Sequence, residues 1–195
     1  MITAFSLFMN PLILSFLLSL TLFTANAQEK PWEFADFNGK THTPLVVGDK
    51  KAVVLVFVSA YCPTANTFMP EINRIIAEYE KSFAFYLVHA DATLKTEDVY
   101  RHAEMFEVKA PVLLDKEQRL AKLTKATITP EVVVLAGNGE SIYQGRINDL
   151  YLGPTKKQRQ ATTKDLRDAL DAVLAGKPVS NPKTDAVGCK ITVPQ

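Results

Sequence analysis

Residues 52–58 (AVVLVFV) and 83–90 (FAFYLVHA) are runs rich in β-branched and aromatic side chains, with almost no polar interruption. A strand with one wet face alternates apolar and polar residues. A strand that is apolar throughout is buried on both faces, which requires helices on either side of its sheet. Between the two runs, from Asn66 to Glu80, the residues Phe68, Met69, Ile72, Ile75, Ile76 and Tyr79 recur at helical spacing. Pro70 falls inside that pattern and is expected to kink the helix. Buried strand, helix and buried strand in succession predict a parallel βαβ unit.

The flanking segments extend this frame. Trp32 to Asp36 alternates, and Asn38-Gly39 follows as a turn signal, so a short hairpin is expected to open the domain. Thr96 is read as the cap of a helix ending near Glu107, with Glu97 and Asp98 in its first turn. Pro111 to Leu114 is a short apolar piece, and 117–124 carries a helical pattern. Thr127 to Ala136 reads as one strand entered through Thr129-Pro130, joined by Asn138-Gly139 to a returning strand from Ser141 to Ile147. Residues 149–162 are polar, with a basic cluster of Lys156, Lys157 and Arg159 that reads as a solvated face. Thr163 to Ala175 is an amphipathic helix stopped by Gly176 and Pro178. The expected fold class is α/β, a central mixed sheet flanked by helices on both faces.

The N-terminus has a different character. Residues 1–27 contain no Lys, Arg, Asp or Glu, are strongly apolar over 11–23, and end in Ala25-Asn26-Ala27. This outlines a signal peptide, although the basic residues usual at its start are absent. The competing reading is an uncleaved anchor, and a membrane is a partner only in that case. Both readings place the remainder in a secreted or periplasmic location, where disulfides persist. The expected domains are a leader over 1–27, a globular domain over 28–178 and a C-terminal tail over 179–195. A net charge of +1 gives no electrostatic footprint for nucleic acid. Two cysteines are too few for a disulfide-scaffolded mini-protein or a cysteine-only zinc site, and neither a cofactor nor a metal is expected.

The position of Cys62 carries the chemistry. It directly follows a buried strand and precedes a helix, where free N–H groups and the helix dipole favour a thiolate. A thiolate is the competent nucleophile for disulfide exchange or for attack on peroxide. Against this stands an inert cysteine packed as a small hydrophobe.

The stretch VVLVFVSAYCPTANTFMPEINRIIAEY resembles the active-site strand and first helix of the thioredoxin superfamily, with Pro70 at the place of its kinking proline. Thr129-Pro130 before VVVLAGNGESIYQGR resembles the cis-proline and hairpin of that fold. The elements Cys-Pro-x-x-Asn, Pro-Glu-Ile-Asn, Thr-Pro-Glu, Gly-Arg-Ile-Asn-Asp and the terminal Ala-Val-Gly-Cys are similar to exported bacterial redoxin-domain proteins of the AhpC/TSA–thioredoxin type. The resemblance implies an extracytoplasmic thiol–disulfide oxidoreductase with Cys62 as nucleophile. It also implies Tyr61, Pro63, Thr129 and Pro130 as substrate contacts, with Thr129 and a cis Pro130 presenting backbone to an extended substrate. The implied partners are protein or small-molecule disulfides or peroxide, together with an external thiol reductant.

Two departures bear on mechanism. The family's second active-site cysteine would stand at Ala65, and its buried aspartate at Val56. A dithiol cycle therefore needs a sulfur from outside the motif, and Cys189 is the candidate. A structural disulfide without turnover, or a Cys189 left free or attached elsewhere, stays open on the residues alone. A peroxiredoxin-like peroxidase is the second functional reading. Ser59 occupies the hydroxyl position of its motif, but Leu55 replaces the proline and Arg146 lies at the far end of the hairpin. A non-catalytic binding module is a third. A copper carrier is a fourth, and the histidines it would draw on, His42, His89 and His102, are scattered along the chain.

Overall fold

The computed structural model describes residues 32–192. The proposed leader, residues 1–27, lies outside them. Among the described residues, no helix is long and apolar enough to cross a membrane.

The expected central frame is present. Strand β3 (Ala52–Val58) is buried at every position. It pairs in parallel with β4 (Phe83–His89), from Ala52 opposite Phe83 to Val58 opposite His89. Helix α1 (Pro63–Tyr79) connects them. The five-stranded sheet has the order β5-β4-β3-β7-β8, with β5 at Val112–Leu114, β7 at Glu131–Leu135 and β8 at Ser141–Gly145. Strands β3, β4 and β5 run parallel, while β7 is antiparallel to both β3 and β8. The sheet is mixed, as expected.

The two-sided burial of β3 is visible in its packing. Ala52, Val54, Val56 and Val58 join a cluster with α1, with Val99 and Ala103 of α2 (Thr96–Met105), and with Leu166, Ala169 and Leu170 of α4 (Asp165–Leu174). Val53, Leu55 and Phe57 join a second cluster with Leu120 and Ala121 of α3 (Arg119–Thr124) and with Phe34. One face of the sheet thus takes three helices and the other takes α3. The hairpin β1 (Phe34–Ala35) and β2 (Thr41–His42) forms as read from the sequence.

Four local expectations are corrected. Helix α1 begins at Pro63, three residues before the apolar pattern, because Cys62 caps it and Pro63 sits in its first turn, where a missing N–H costs no ladder bond. Thr96 is the first residue of α2 and does not cap it. The cap position belongs to Lys95, whose backbone is extended (φ −78°, ψ 142°) and whose side chain makes no capping bond. The expected single strand over 127–136 is broken at residue 130 into β6 (Ile128–Thr129) and β7, which lie in different sheets. The polar region 149–162 holds a small hairpin, β9 (Tyr151–Gly153) with β10 (Lys156–Lys157).

The tail packs on the body. Its last strand, β11 (Cys189–Lys190), pairs antiparallel with β6, placing Cys189 opposite Thr129 and Lys190 opposite Ile128.

Candidate active site

Cys62 has an extended backbone (φ −93°, ψ 108°) and occupies the cap of α1. Its N–H donates to the Ser59 carbonyl at 3.0 Å, and its own carbonyl accepts from Asn66 N–H at 3.0 Å. Its Sγ accepts from Ala65 N–H at 3.4 Å, so the sulfur takes the place that a serine or aspartate oxygen holds in an ordinary helix cap. This is the position at which the helix dipole and a free N–H stabilise a thiolate. Cys62 is 1% exposed and belongs to the larger core cluster.

That sulfur is bonded to Cys189, with the two Cα atoms 5.8 Å apart and 127 residues between them in sequence. The partner left open by Ala65 is therefore the tail cysteine. Cys189 is partly exposed and packs against the core cluster.

The third wall of the site is the Thr129-Pro130 peptide, which is cis. Thr129 and Pro130 are both buried. The Thr129 carbonyl oxygen lies 3.0 Å from Cys62 Sγ. Thr129 Oγ1 donates to the Cys189 carbonyl at 3.4 Å. The backbone of Thr129, read from sequence as the edge offered to an extended substrate, is paired with the chain's own tail.

Several residues that sequence reasoning did not single out hold this arrangement. Glu131, mostly buried, accepts from Thr127 N–H at 2.9 Å and Ile128 N–H at 3.2 Å through one oxygen, and from Gln144 Nε2 at 2.8 Å through the other. Its carboxylate fixes the approach to the cis peptide. Thr184 ties down the start of the tail: its Oγ1 accepts from Arg146 N–H at 3.0 Å and bonds Tyr143 Oη at 2.8 Å. Gln118 Nε2 donates to the Ala90 carbonyl at 2.9 Å and also to that of Thr192 near the far end. Gly188 is the most constrained contact. A Cβ there would stand 2.0 Å from the Thr129 carbonyl oxygen and 2.8 Å from its carbon. The one signal in the sequence was the glycine directly before the second cysteine.

The remaining candidates separate. Pro63 is exposed at the start of α1. Tyr61 is 54% exposed, and its hydroxyl donates to Asp98 of α2, which raises its pKa above the usual phenol value. Ser59 Oγ accepts from Tyr61 N–H at 3.3 Å. Arg146 forms a two-pronged ion pair with Asp165, at 3.0 and 3.2 Å. His42 bonds Asp36 at 2.8 Å, while His89 and His102 stack edge to face 5.3 Å apart. Among the described residues, no group of three or more His, Cys, Asp or Glu is arranged to hold a metal.

The histidine pair lies behind the active-site turn. His102 Nε2 bonds Asn66 Oδ1 at 3.0 Å, and Asn66 Nδ2 donates to the Ala60 carbonyl at 3.2 Å. Burial pushes His89 down to about 3, helped by the neighbouring His102, and burial pushes His102 down to about 4. Both rings are neutral at physiological pH.

With this geometry in view, a family model described as thioredoxin-like matches residues 49–141, from just before β3 to the first residue of β8. Over that span the chain is similar to the thioredoxin-like family. An uncharacterised conserved protein from Geobacillus kaustophilus superimposes with a TM-score of 0.73 at 24% identity, covering 85% of this chain and 89% of that one. A hypothetical protein from Sinorhizobium meliloti 1021 gives 0.72 at 24% identity, covering 82% and 88%. A secreted Mycobacterium tuberculosis disulfide oxidoreductase, homologous to E. coli DsbE, gives 0.55 at 15% identity, covering 73% and 96%. These identities establish a shared thioredoxin-like fold. No curated protein matches the chain by sequence.

Proposed function

We propose that this thioredoxin-like chain is a thiol–disulfide oxidoreductase whose redox pair is Cys62 and Cys189, working outside the cytoplasm. The observation that carries the reading is the bond itself. It joins a sulfur at a helix cap to a sulfur on a tail strand laid across the cis Thr129-Pro130 peptide. In the reduced protein the Cys62 thiolate attacks one sulfur of a substrate disulfide, and the other substrate sulfur leaves as a thiolate. The Cys189 thiolate then attacks Cys62 Sγ, breaks the mixed disulfide and releases the second substrate thiol. Two electrons pass to the substrate, and the 62–189 bond is left for an external thiol to reduce.

The absence of a carboxylate at position 56 shapes the proton path. Val56 is buried hydrocarbon, so the reading assigns thiolate stabilisation to the helix start. The Thr129 carbonyl is the nearest acceptor for the Cys62 thiol proton. Tyr61 and Pro63, exposed beside Cys62, and Thr129 with Pro130, once the tail lifts, form the substrate-contacting surface. Residues 28–178 make the redoxin domain and 179–195 the tail that closes it. The extracytoplasmic placement rests on the charge-free, apolar leader sequence and on a disulfide that a reducing cytosol would open.

The peroxidase reading gains no support from the arginine it requires, since Arg146 is engaged by Asp165. The test is reduction of insulin disulfides driven by dithiothreitol. The wild-type protein should accelerate the reaction, Cys62→Ser should abolish the acceleration, and Cys189→Ser should accumulate a mixed disulfide on Cys62. No acceleration over dithiothreitol alone would refute the proposal.

A further inference from the structure

The reductant of this disulfide has two sulfurs to choose from, and their surroundings differ. Cys62 is 1% exposed. Its Sγ is hemmed by the Ala65 N–H, the Thr129 carbonyl oxygen and the Cys189 sulfur. An incoming thiolate must line up behind the attacked sulfur, opposite the leaving one. At Cys62 that approach meets packed protein, and it carries negative charge towards a carbonyl oxygen 3.0 Å from the target. Cys189 sits on the outer strand of the β6–β11 pair and is partly exposed, with the exposed Lys190 beside it.

Leaving-group chemistry favours the same choice. The sulfur that departs should be the one best stabilised as a thiolate, because such groups leave faster. Attack on Cys189 expels Cys62 into the cap of α1, where the Ala65 N–H and the helix dipole receive the charge. Attack on Cys62 would instead expel Cys189, which caps no helix.

We propose that thiol reductants enter this protein at Cys189, so that the two half-reactions use different sulfurs. This rests on the redox reading above, in which Cys62 is the sulfur that attacks substrate. The reductant's thiolate bonds to Cys189 Sγ, the 62–189 bond breaks, and Cys62 takes the electron pair and then a proton from solvent. A second reductant thiolate attacks the reductant sulfur of the mixed disulfide, releasing Cys189 and oxidised reductant. Two thiols become one disulfide, and two electrons reach the pair. The reductant therefore docks on the outer side of the tail, while substrate meets Cys62 once the tail has lifted.

The wild-type oxidised protein is sufficient for the test. It is mixed with glutathione for milliseconds, quenched in acid, digested with pepsin in acid, and mapped by mass spectrometry. Early adduct should lie on the Cys189 peptide, in about tenfold or greater excess over Cys62, which appears as free thiol. The same reaction in denaturant, where both sulfurs are open, should lose most of that bias. Adduct mainly on Cys62 in the native protein would overturn the proposal while leaving the redox pair intact. A native disulfide that glutathione opens only in denaturant would overturn both, because the bond would then be structural.

Discussion

Gly188→Ala tests whether the tail's fit against β6 sets the energy of the disulfide. The added Cβ would lie 2.0 Å from the Thr129 carbonyl oxygen, where ordinary contact begins at 3.4 Å, so the tail must retreat by about 1.4 Å. The obstacle is backbone next to a buried proline, not the end of a flexible side chain. Moved straight outward, that retreat takes the Cys62–Cys189 Cα separation from 5.8 Å to about 7.2 Å, beyond the range a disulfide bridges without further movement. Overpacking of this kind costs about 1–3 kcal/mol. Reduction frees the tail to step away, so the cost falls on the oxidised state. At about 1.4 kcal/mol per 30 mV, the reduction potential should rise by about 20–60 mV. Equilibration in graded glutathione buffers, with the redox state counted by mass spectrometry, measures it. Gly153→Ala is the control, since its nearest neighbour would be 4.0 Å away. An unchanged potential in Gly188→Ala would refute the coupling of tail docking to redox state.

Other perturbations probe separate parts of the account. Cys189→Ser opens a loop of 127 residues, and the chain-entropy model gives a loss of about 5 kcal/mol, read as a fall in urea midpoint relative to the oxidised wild type; a loss below about 1 kcal/mol would mean the tail contributes little to the fold. Glu131→Leu strips the acceptor from Thr127 and Ile128 N–H and should cost about 1–3 kcal/mol, with faster hydrogen exchange at both amides; unchanged exchange would contradict the carboxylate's anchoring role. His89 and His102 are held below their unfolded value of about 6.5, so the unfolded chain binds protons that the native one refuses. Their stabilising contribution is present above that value and is lost as pH falls from about 6.5 towards 4, at up to about 2.7 kcal/mol per pH unit while both titrate. Urea unfolding at pH 7, 6 and 5 should show the slope, and His89→Leu should reduce it by about half; a flat profile in the wild type would count against buried neutral rings.

What the sequence disclosed follows from which interactions are local. The bounds of β3 were readable because two-sided burial leaves a continuous apolar run, and its alternate residues feed two different clusters. The apolar spacing alone began α1 at Asn66, whereas Cys62 and Pro63 marked its start, a cysteine sulfur doing the work of a capping oxygen. The break at Pro130 was missed as a change of sheet. A run of β-formers looks continuous in sequence, whereas β6 is defined by a partner strand 60 residues away. Cys62 stood out by its place between a buried strand and a helix, and the cis Thr129-Pro130 peptide by family resemblance. Whether Cys62 pairs with Cys189 was left open, because Cα separation is a property of the folded tail. Glu131 stood in the Thr-Pro-Glu element without a role of its own, and Thr184 and Gln118 carried no signal, since their bonds go to groups far away in sequence.

The equilibrium reduction potential of the 62–189 bond in the native protein tests the central claim most directly. A redox-active pair should titrate reversibly between about −120 and −270 mV, the span of working thiol–disulfide oxidoreductases. A value below about −300 mV, or no reduction until the chain unfolds, would make the bond a structural staple and contradict the account.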